Sequence, residues 1–497
     1  MDKDTYQTSI HNLNMTSVIK NSANDFDHHN KLTVADNNRL IEDDHKEISK
    51  LEQAAATIEA NIGACSISYS KINTKEGILL PIGISSDPIM KMLKLATMGT
   101  QPIISDELKI GDLWWSAIDS YNITAFDQTN GIWPLEHPLP LPDWSSETRE
   151  TLKFDNVWQY EEMNALIEAK LHRMLEVTHY NTVNNFLDFY KAFKKTRRSD
   201  LKSFFQFYDI PINRRHHMCV SLAMEIIIRI LEIFPDLAKY LYIVSCEEAV
   251  VQPQYYIDTC EQIGINAANS NVEKEHSLVA MKLSIAGRQG YMVLDPGYHV
   301  ARAVTVMKDQ CYPHTGWFTQ SDEKHCKREY CYNYNIRNTN YIEWCEKETR
   351  GDKQEFKVNL VYVERPYRTA IDVTVRRNLV YDFRSLLARD AKGRVFAGLY
   401  FPLILSKNGE QPQFTLFYEG QNNQNVKAKL LFNVFKNSSK IPDHVTTHIE
   451  QLAPQLNIDK IELLDIFKSI AEVVTDQDFI KQVLSINDDI NEMSADN

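Results

Sequence analysis

The sequence predicts an α+β protein, with a helical segment first, a long run of strands next, and helices again at the end. Two observations carry this. From about residue 156 to 235 apolar residues recur at three and four, as in YEEMNALIEAKLHRMLEV, the spacing of one helix face. From Leu241 onward the period turns to two, in YLYIVSCEEAV, HSLVAMKLSI and GYMVLDP, the spacing of strands. Helices and strands that segregate along a chain, rather than alternate, give α+β and not a doubly wound sheet.

The elements follow in order. Residues 1–45 are polar, rich in Asn, Asp and His, and aperiodic, which predicts disorder. Residues 46–150 form an N-terminal extension. It opens on a helix (DHKEISKLEQAAATIEANIG) and continues as proline-broken text, with WPLEHPLPLPDW as an extended linker packed on a surface. Residues 151–310 hold the helices, including FLDFYKAFKKTRRSDLKSFFQFY, and the first strands. AGRQG between HSLVAMKLSI and YMVL supplies a hairpin, with a glycine near each end. Residues 311–440 are a β-rich lobe. Its expected strands are FKVNLVYVE, RTAIDVTVR, GLYFPLIL, QFTLFYE and VKAKLLFNVF, read as an antiparallel sheet or small barrel. Residues 441–485 return to helix, and 486–497 form an acidic tail.

Composition narrows the function classes. A net charge of −13 over 497 residues does not suit wrapping nucleic acid. The basic stretch Lys191–Lys202 reads as a solvated helix face. No apolar run nears the roughly eighteen residues a membrane span needs. The first residues lack an apolar signal core, so a cytoplasmic location is the expectation. Eight cysteines in so long a chain do not make a disulfide scaffold. Cys311, His314, Cys326 and Cys331 have a spacing some zinc sites use, but no compact Cys-x2-Cys pair. Unpaired thiols are the preferred reading, and no metal is assigned.

One constellation carries chemistry. In RRHHMCVSLAMEIIIRI, Cys219 heads a helix-like run. A helix N-terminus favours a thiolate and offers N–H donors to an oxyanion. His276 opens one strand and Asp295 closes the next, so the hairpin brings them side by side. A thiol, a base and a group that orients the base are what covalent acyl transfer requires.

This order resembles that of the papain-like transglutaminase superfamily, and within it the arylamine N-acetyltransferases. Their Arg-Gly-Gly-x-Cys is similar to RHHMC, which places Arg215 and Cys219 in frame. Their His-x-x-Leu, glycine hairpin and Asp-x-Gly-(Phe/Tyr) are similar to HSLV…AGRQGYMVLDPGY. There His276, Asp295, Gly297 and Tyr298 match, and the leucine comes one position early. The resemblance covers Leu201 to Ala303. It implies a papain-like core of helical lobe plus antiparallel sheet or barrel, a Cys219–His276–Asp295 triad, and acyl or amide-group transfer, with acyl-CoA a possible donor. Arg215, His216, His217, Gly297 and Tyr298 would line the cleft. A small-molecule or protein amine would be the acceptor. Two glycines of the family are replaced here by His216 and His217, and its Glu and Asn after the cysteine are missing. The alternative is therefore a catalytically inactive pseudoenzyme that binds a protein partner. A histidine beside the site, His299, is expected to be exposed.

Overall fold

The computed structural model describes residues 133–134, 137–211, 217–264, 272–323, 325–405, 411–420, 424–436 and 441–494. The expectations for residues 1–132, for Arg215 and His216, and for the last three residues of the tail lie outside these. Among the described residues no helix is long and apolar enough to cross a membrane.

The described chain is mixed helix and antiparallel sheet, with a sheet curled into a half-barrel. Strand β1 (Leu152–Phe154) leads into helix α1 (Val157–Val177). Then come β2 (His179–Asn181), α2 (Val183–Thr196), α3 (Leu201–Phe207) and α4 (Cys219–Leu231). Asn156 caps α1 by accepting from the Gln159 amide, and Asp200 caps α3 by accepting from Ser203; both satisfy orphan donors of a first turn.

Strand β3 (Leu241–Glu247) and helix α5 (Pro253–Ile263) follow. Then come β4 (His276–Ile285), β5 (Arg288–Leu294), β6 (Val304–Met307), β7 (Phe318–Glu323), β8 (Cys326–Tyr334), β9 (Tyr341–Arg350) and β10 (Lys353–Tyr362). The larger sheet runs β6-β5-β4-β3-β10-β9-β8-β7. Strand β3 pairs with β4 from His276 to Met281, and β1 takes over the same edge, in parallel, from Leu283 to Ile285. The lobe boundary expected at residue 310 therefore falls inside one sheet. Strand β10 closes against β3 through Leu360↔Glu247, a long-range pairing that no local pattern announces.

RTAIDVTVR is not a strand. Ala370–Val375 forms a π-helical segment that continues into α6 (Arg376–Val380). The β-branched residues Ile371, Val373, Thr374 and Val375 are all buried, so burial on every side overrides their strand propensity. Arg376 locks the helix by donating to the Asp372 carbonyl at 3.1 Å and its carboxylate at 3.2 Å. Its other nitrogen reaches the Phe205 and Tyr208 carbonyls at the end of α3.

The second sheet comprises β11 (Phe383–Arg389), β12 (Val395–Pro402), β13 (Gln413–Glu419) and β14 (Asn425–Leu431), in the order β14-β13-β12-β11-β2. Helices α7 (Asp443–Gln455), α8 (Lys460–Thr475) and α9 (Gln477–Met493) follow. The acidic tail expected from residue 486 is instead helical to Met493, because Ile486, Asn487 and Ile490 are buried. One core holds Phe186, Phe189 and Phe205 of the early helices, Leu399 and Phe414 of this sheet, and Phe467 and Phe479 of the last helices. Helices α2 and α3 of the first helical segment thus share one core with the C-terminal helices. The end of the proline-rich linker goes deeper than a surface extension: Leu139 is in that same core, Pro140 and residues 142–144 are buried, and Trp144 bridges to Tyr367.

The β4–β5 hairpin turns through Ala286 (φ 51°) and Gly287 (φ 79°), with Ile285 opposite Arg288. Two positive φ values suit a two-residue primed turn. Gly287 is free to adopt one, whereas a Cβ in the left-handed region costs about 1–2 kcal/mol. Ala286→Gly should accordingly raise stability by about 1 kcal/mol, read as a higher urea midpoint. The second glycine of AGRQG, Gly290, lies inside β5. A Cβ there would fall 2.7 Å from Met307 Sδ and 2.8 Å from the Val306 carbonyl.

Candidate active site

Helix α4 is apolar on nearly every face, and its residues from Cys219 to Ile228 are buried. It packs against α1 and against β3 and β4, which is why a helix this hydrophobic is stable here. Its one buried carboxylate, Glu225, is held by Arg229 at 2.7 Å. Met218, the N-cap, is extended and offers no side-chain cap; its carbonyl accepts from Leu222 at 2.8 Å. Cys219 is therefore the first helical residue, at an end whose partial positive charge has no side chain from the cap position to answer it.

His276 begins β4, opposite Cys246 of β3. Asp295 directly follows β5. The hairpin sets them side by side: His276 Nε2 lies 3.0 Å from Asp295 Oδ1. Cys219 lies next to the same ring: the point where a Gly297 Cβ would fall is 3.0 Å from Cys219 Cβ and 2.8 Å from His276 Cε1. Burial by itself pulls the His276 pKa down. The adjacent Asp295 charge and hydrogen bond, with Cys219 beside the ring, outweigh it and hold the imidazole well above its usual range.

Asp295 does two jobs. Oδ1 also accepts the Tyr298 amide at 3.1 Å, which closes the Asp-Pro-Gly-Tyr turn, and Oδ2 accepts from the Tyr332 hydroxyl at 3.4 Å. Tyr298 stands edge-on to the His276 ring, with centroids 4.7 Å apart, and its hydroxyl donates to Glu248 at 2.5 Å. Burial, and the Glu248 charge next, push the Tyr298 phenol well up, so it stays a donor. Trp344 stacks on Tyr332 and lies 6.0 Å from His276, giving the imidazole an aromatic floor.

Arg389 of β11 secures the turn from below. Its Nη1 donates to the Pro296 carbonyl at 3.0 Å and its Nη2 to Thr178 at 2.8 Å. Burial lowers its pKa to about 9. His299, at φ 60°, is partly buried against Arg389 and Tyr180. It is not the exposed histidine expected from sequence, because the turn folds it back onto β11 and β2. Burial, then Arg389, holds its imidazole well below the usual value.

Gly297 is glycine for want of space. A Cβ there would fall 2.8 Å from His276 Cε1 and 3.0 Å from Cys219 Cβ. Gly297→Ala should cost about 1–3 kcal/mol of stability by overpacking. It should also move the ring from the thiol, seen as a changed alkylation rate of Cys219.

Of the sequence-predicted residues, Cys219, His276, Asp295, Gly297 and Tyr298 come together. Arg215 and His216 lie outside the described residues. His217 is partly buried one residue before α4's cap; its carbonyl accepts from the Asn181 amide at 2.6 Å. Among the described residues its Nδ1 has no hydrogen-bond partner. Burial lowers its pKa to about 3 and keeps the ring neutral. Cys311 is exposed and Cys331 buried, His314 Nδ1 accepts from the Met307 amide, and among the described residues no group of three or more His, Cys, Asp or Glu is placed to hold a metal.

Sequence reasoning missed Tyr332, Trp344, Glu248 and Arg389. The alternating tyrosines of YCYNY were a visible strand signal, but what they face depends on the curl of the sheet. The chain matches no family model, no curated protein and no solved structure.

Proposed function

We propose that this protein is a cysteine-dependent acyl or amide-group transferase with a papain-like, arylamine N-acetyltransferase-like core. The observation that supports it is the bridging position of His276, between a thiol at an uncapped helix start and a buried carboxylate. Cys219 attacks the carbonyl of a thioester such as acyl-CoA, or of a carboxamide. The Cys219 amide, at the head of α4, donates to the forming oxyanion. His276 gives its proton to the leaving group and later takes one from the amine or water that removes the acyl group. Asp295 fixes the tautomer and stabilises the imidazolium.

The test is intact-mass analysis after incubation with a panel of acyl-CoAs. An acyl adduct on Cys219, lost in Cys219→Ala, is expected. No adduct across the panel, with Cys219 alkylated no faster than the other thiols, would sink the reading.

A second reading, an inactive relative that binds a protein partner, draws on one observation. Cys219 is 3% exposed and His276 2%, and His217 occupies a position where the family has glycine. Under that reading Cys219→Ala leaves the cellular phenotype intact.

A further inference from the structure

Strands β8 and β9 place two cysteines directly opposite each other, Cys331↔Cys345. Their spacing follows from the hairpin. The Asn335 amide donates to the Tyr341 carbonyl at 3.0 Å, one register step beyond Tyr334↔Ile342. That makes Asn335/Tyr341 a hydrogen-bonded pair. Such pairs alternate along an antiparallel ladder, so Asn333/Glu343 and Cys331/Cys345 belong to the same class, with Cα atoms about 5.5 Å apart. Disulfides span Cα separations of about 4.4–6.8 Å with Cβ atoms about 3.5–4.5 Å apart. The Cβ atoms of a hydrogen-bonded pair stand at about 5.5 Å, so closing the bond draws the two strands together and gives a strained, readily reduced link. Residues directly opposite also point to the same face. Here that face is the one away from Tyr330, Tyr332 and Trp344. Cys331 is 3% exposed, Cys345 partly exposed.

We propose that Cys331 and Cys345 form a reversible cross-strand disulfide under oxidation, with a peroxide as the oxidant. The Cys345 sulfur, the more reachable, attacks one peroxide oxygen. An S–O bond forms, the O–O bond breaks, and the thiol proton leaves with the departing oxygen as water. Cys331, whose sulfur accepts an N–H of Asn333 at 3.1 Å, then attacks the sulfenic sulfur. The S–S bond forms, S–O breaks, and a second water leaves. Two thiols lose two electrons in all, and one hydrogen peroxide becomes two waters. Burial raises both thiols, Cys345 to about 11, so the first step is slow and the second, between neighbours, is fast. The link does not depend on the proposed acyl transfer.

Arg337 lies between the two cysteines, so trypsin separates them unless they are bonded. The full-length reduced protein is treated with hydrogen peroxide, and in parallel equilibrated with oxidised glutathione. Free thiols are then blocked with iodoacetamide, and the digest is mapped without reduction. The expected result is one joined peptide pair carrying Cys331 and Cys345, lighter by two hydrogens than the separate peptides. It should disappear on reduction and be absent in Cys345→Ser. Recovery of both as blocked free thiols under both oxidants, while exposed Cys311 is modified, overturns the proposal. So does a bond from Cys331 to Cys326 or Cys311 instead. The wild-type map decides this even if the variant does not fold.

Discussion

Arg377→Ala is expected to destabilise the protein by about 3–5 kcal/mol, the cost of leaving a buried charge without its partner. Arg377 and Glu273 are 3% and 1% exposed and form a close ion pair. The remaining guanidinium donors reach Asn487 and Asn491 of α9, each at 2.9 Å. Ser494, after α9, donates to the other Glu273 oxygen. One side chain on α6 thereby ties the C-terminal helix to the segment entering β4, three residues before His276. Urea denaturation measures the loss. Removing both charges, as Arg377→Met with Glu273→Gln, should recover part of it, because no buried ion is then left alone. A single-variant loss under 1 kcal/mol would contradict this account.

Asp295→Asn is expected to lower the His276 pKa by more than about one unit, each unit being worth about 1.4 kcal/mol. The amide keeps the shape of the carboxylate and can still accept from Nε2–H, but it removes the negative charge that stabilises an imidazolium. The sign follows from the direction of the shift. His276 is raised in the folded protein, so its contribution to stability is fully present below the unfolded value of about 6.5. That contribution fades as pH climbs through the folded value. The substitution should therefore cost more near pH 6 than at alkaline pH, by denaturant titration at several pH values. An NMR titration of the His276 ring reads the shift directly. Alkylation of Cys219 near pH 7 should slow about tenfold or more, since a weaker imidazolium holds less thiolate. An unchanged ring titration would mean that Asp295 serves its own turn alone.

Much of this site was legible in the chain. The apolar run after Cys219 needs a buried helix. HSLVAMKLSI and YMVL, at period two around a tight turn, must form a hairpin, and a hairpin of that length sets His276 beside Asp295. Gly287 and the Asp-Pro-Gly turn are local chemistry as well. These features rest on contacts between residues near in sequence, which a pattern reports faithfully.

Tertiary structure alone decided the rest. RTAIDVTVR alternates like a strand, yet Ala370, Ile371, Val373, Thr374 and Val375 are buried together and Arg376 bonds back to Asp372, so it coils. The closure of β10 on β3 merges the segments before and after residue 310 into one sheet, a pairing across more than a hundred residues. The same sheet sets β8 and β9 against the His276–Asp295 pair, bringing Tyr332 to Asp295 and Trp344 to His276, and it leaves Cys331 opposite Cys345 on the far face. Helices α2 and α3 share one core with α7, α8 and α9, the apolar side of each group covering that of the other. The amino-acid order by itself determined where the β4–β5 hairpin turns and that His276 and Asp295 meet at its open end. Which side chains steady that pair was settled by non-local packing, whose energy depends on shape and closeness that no periodicity records.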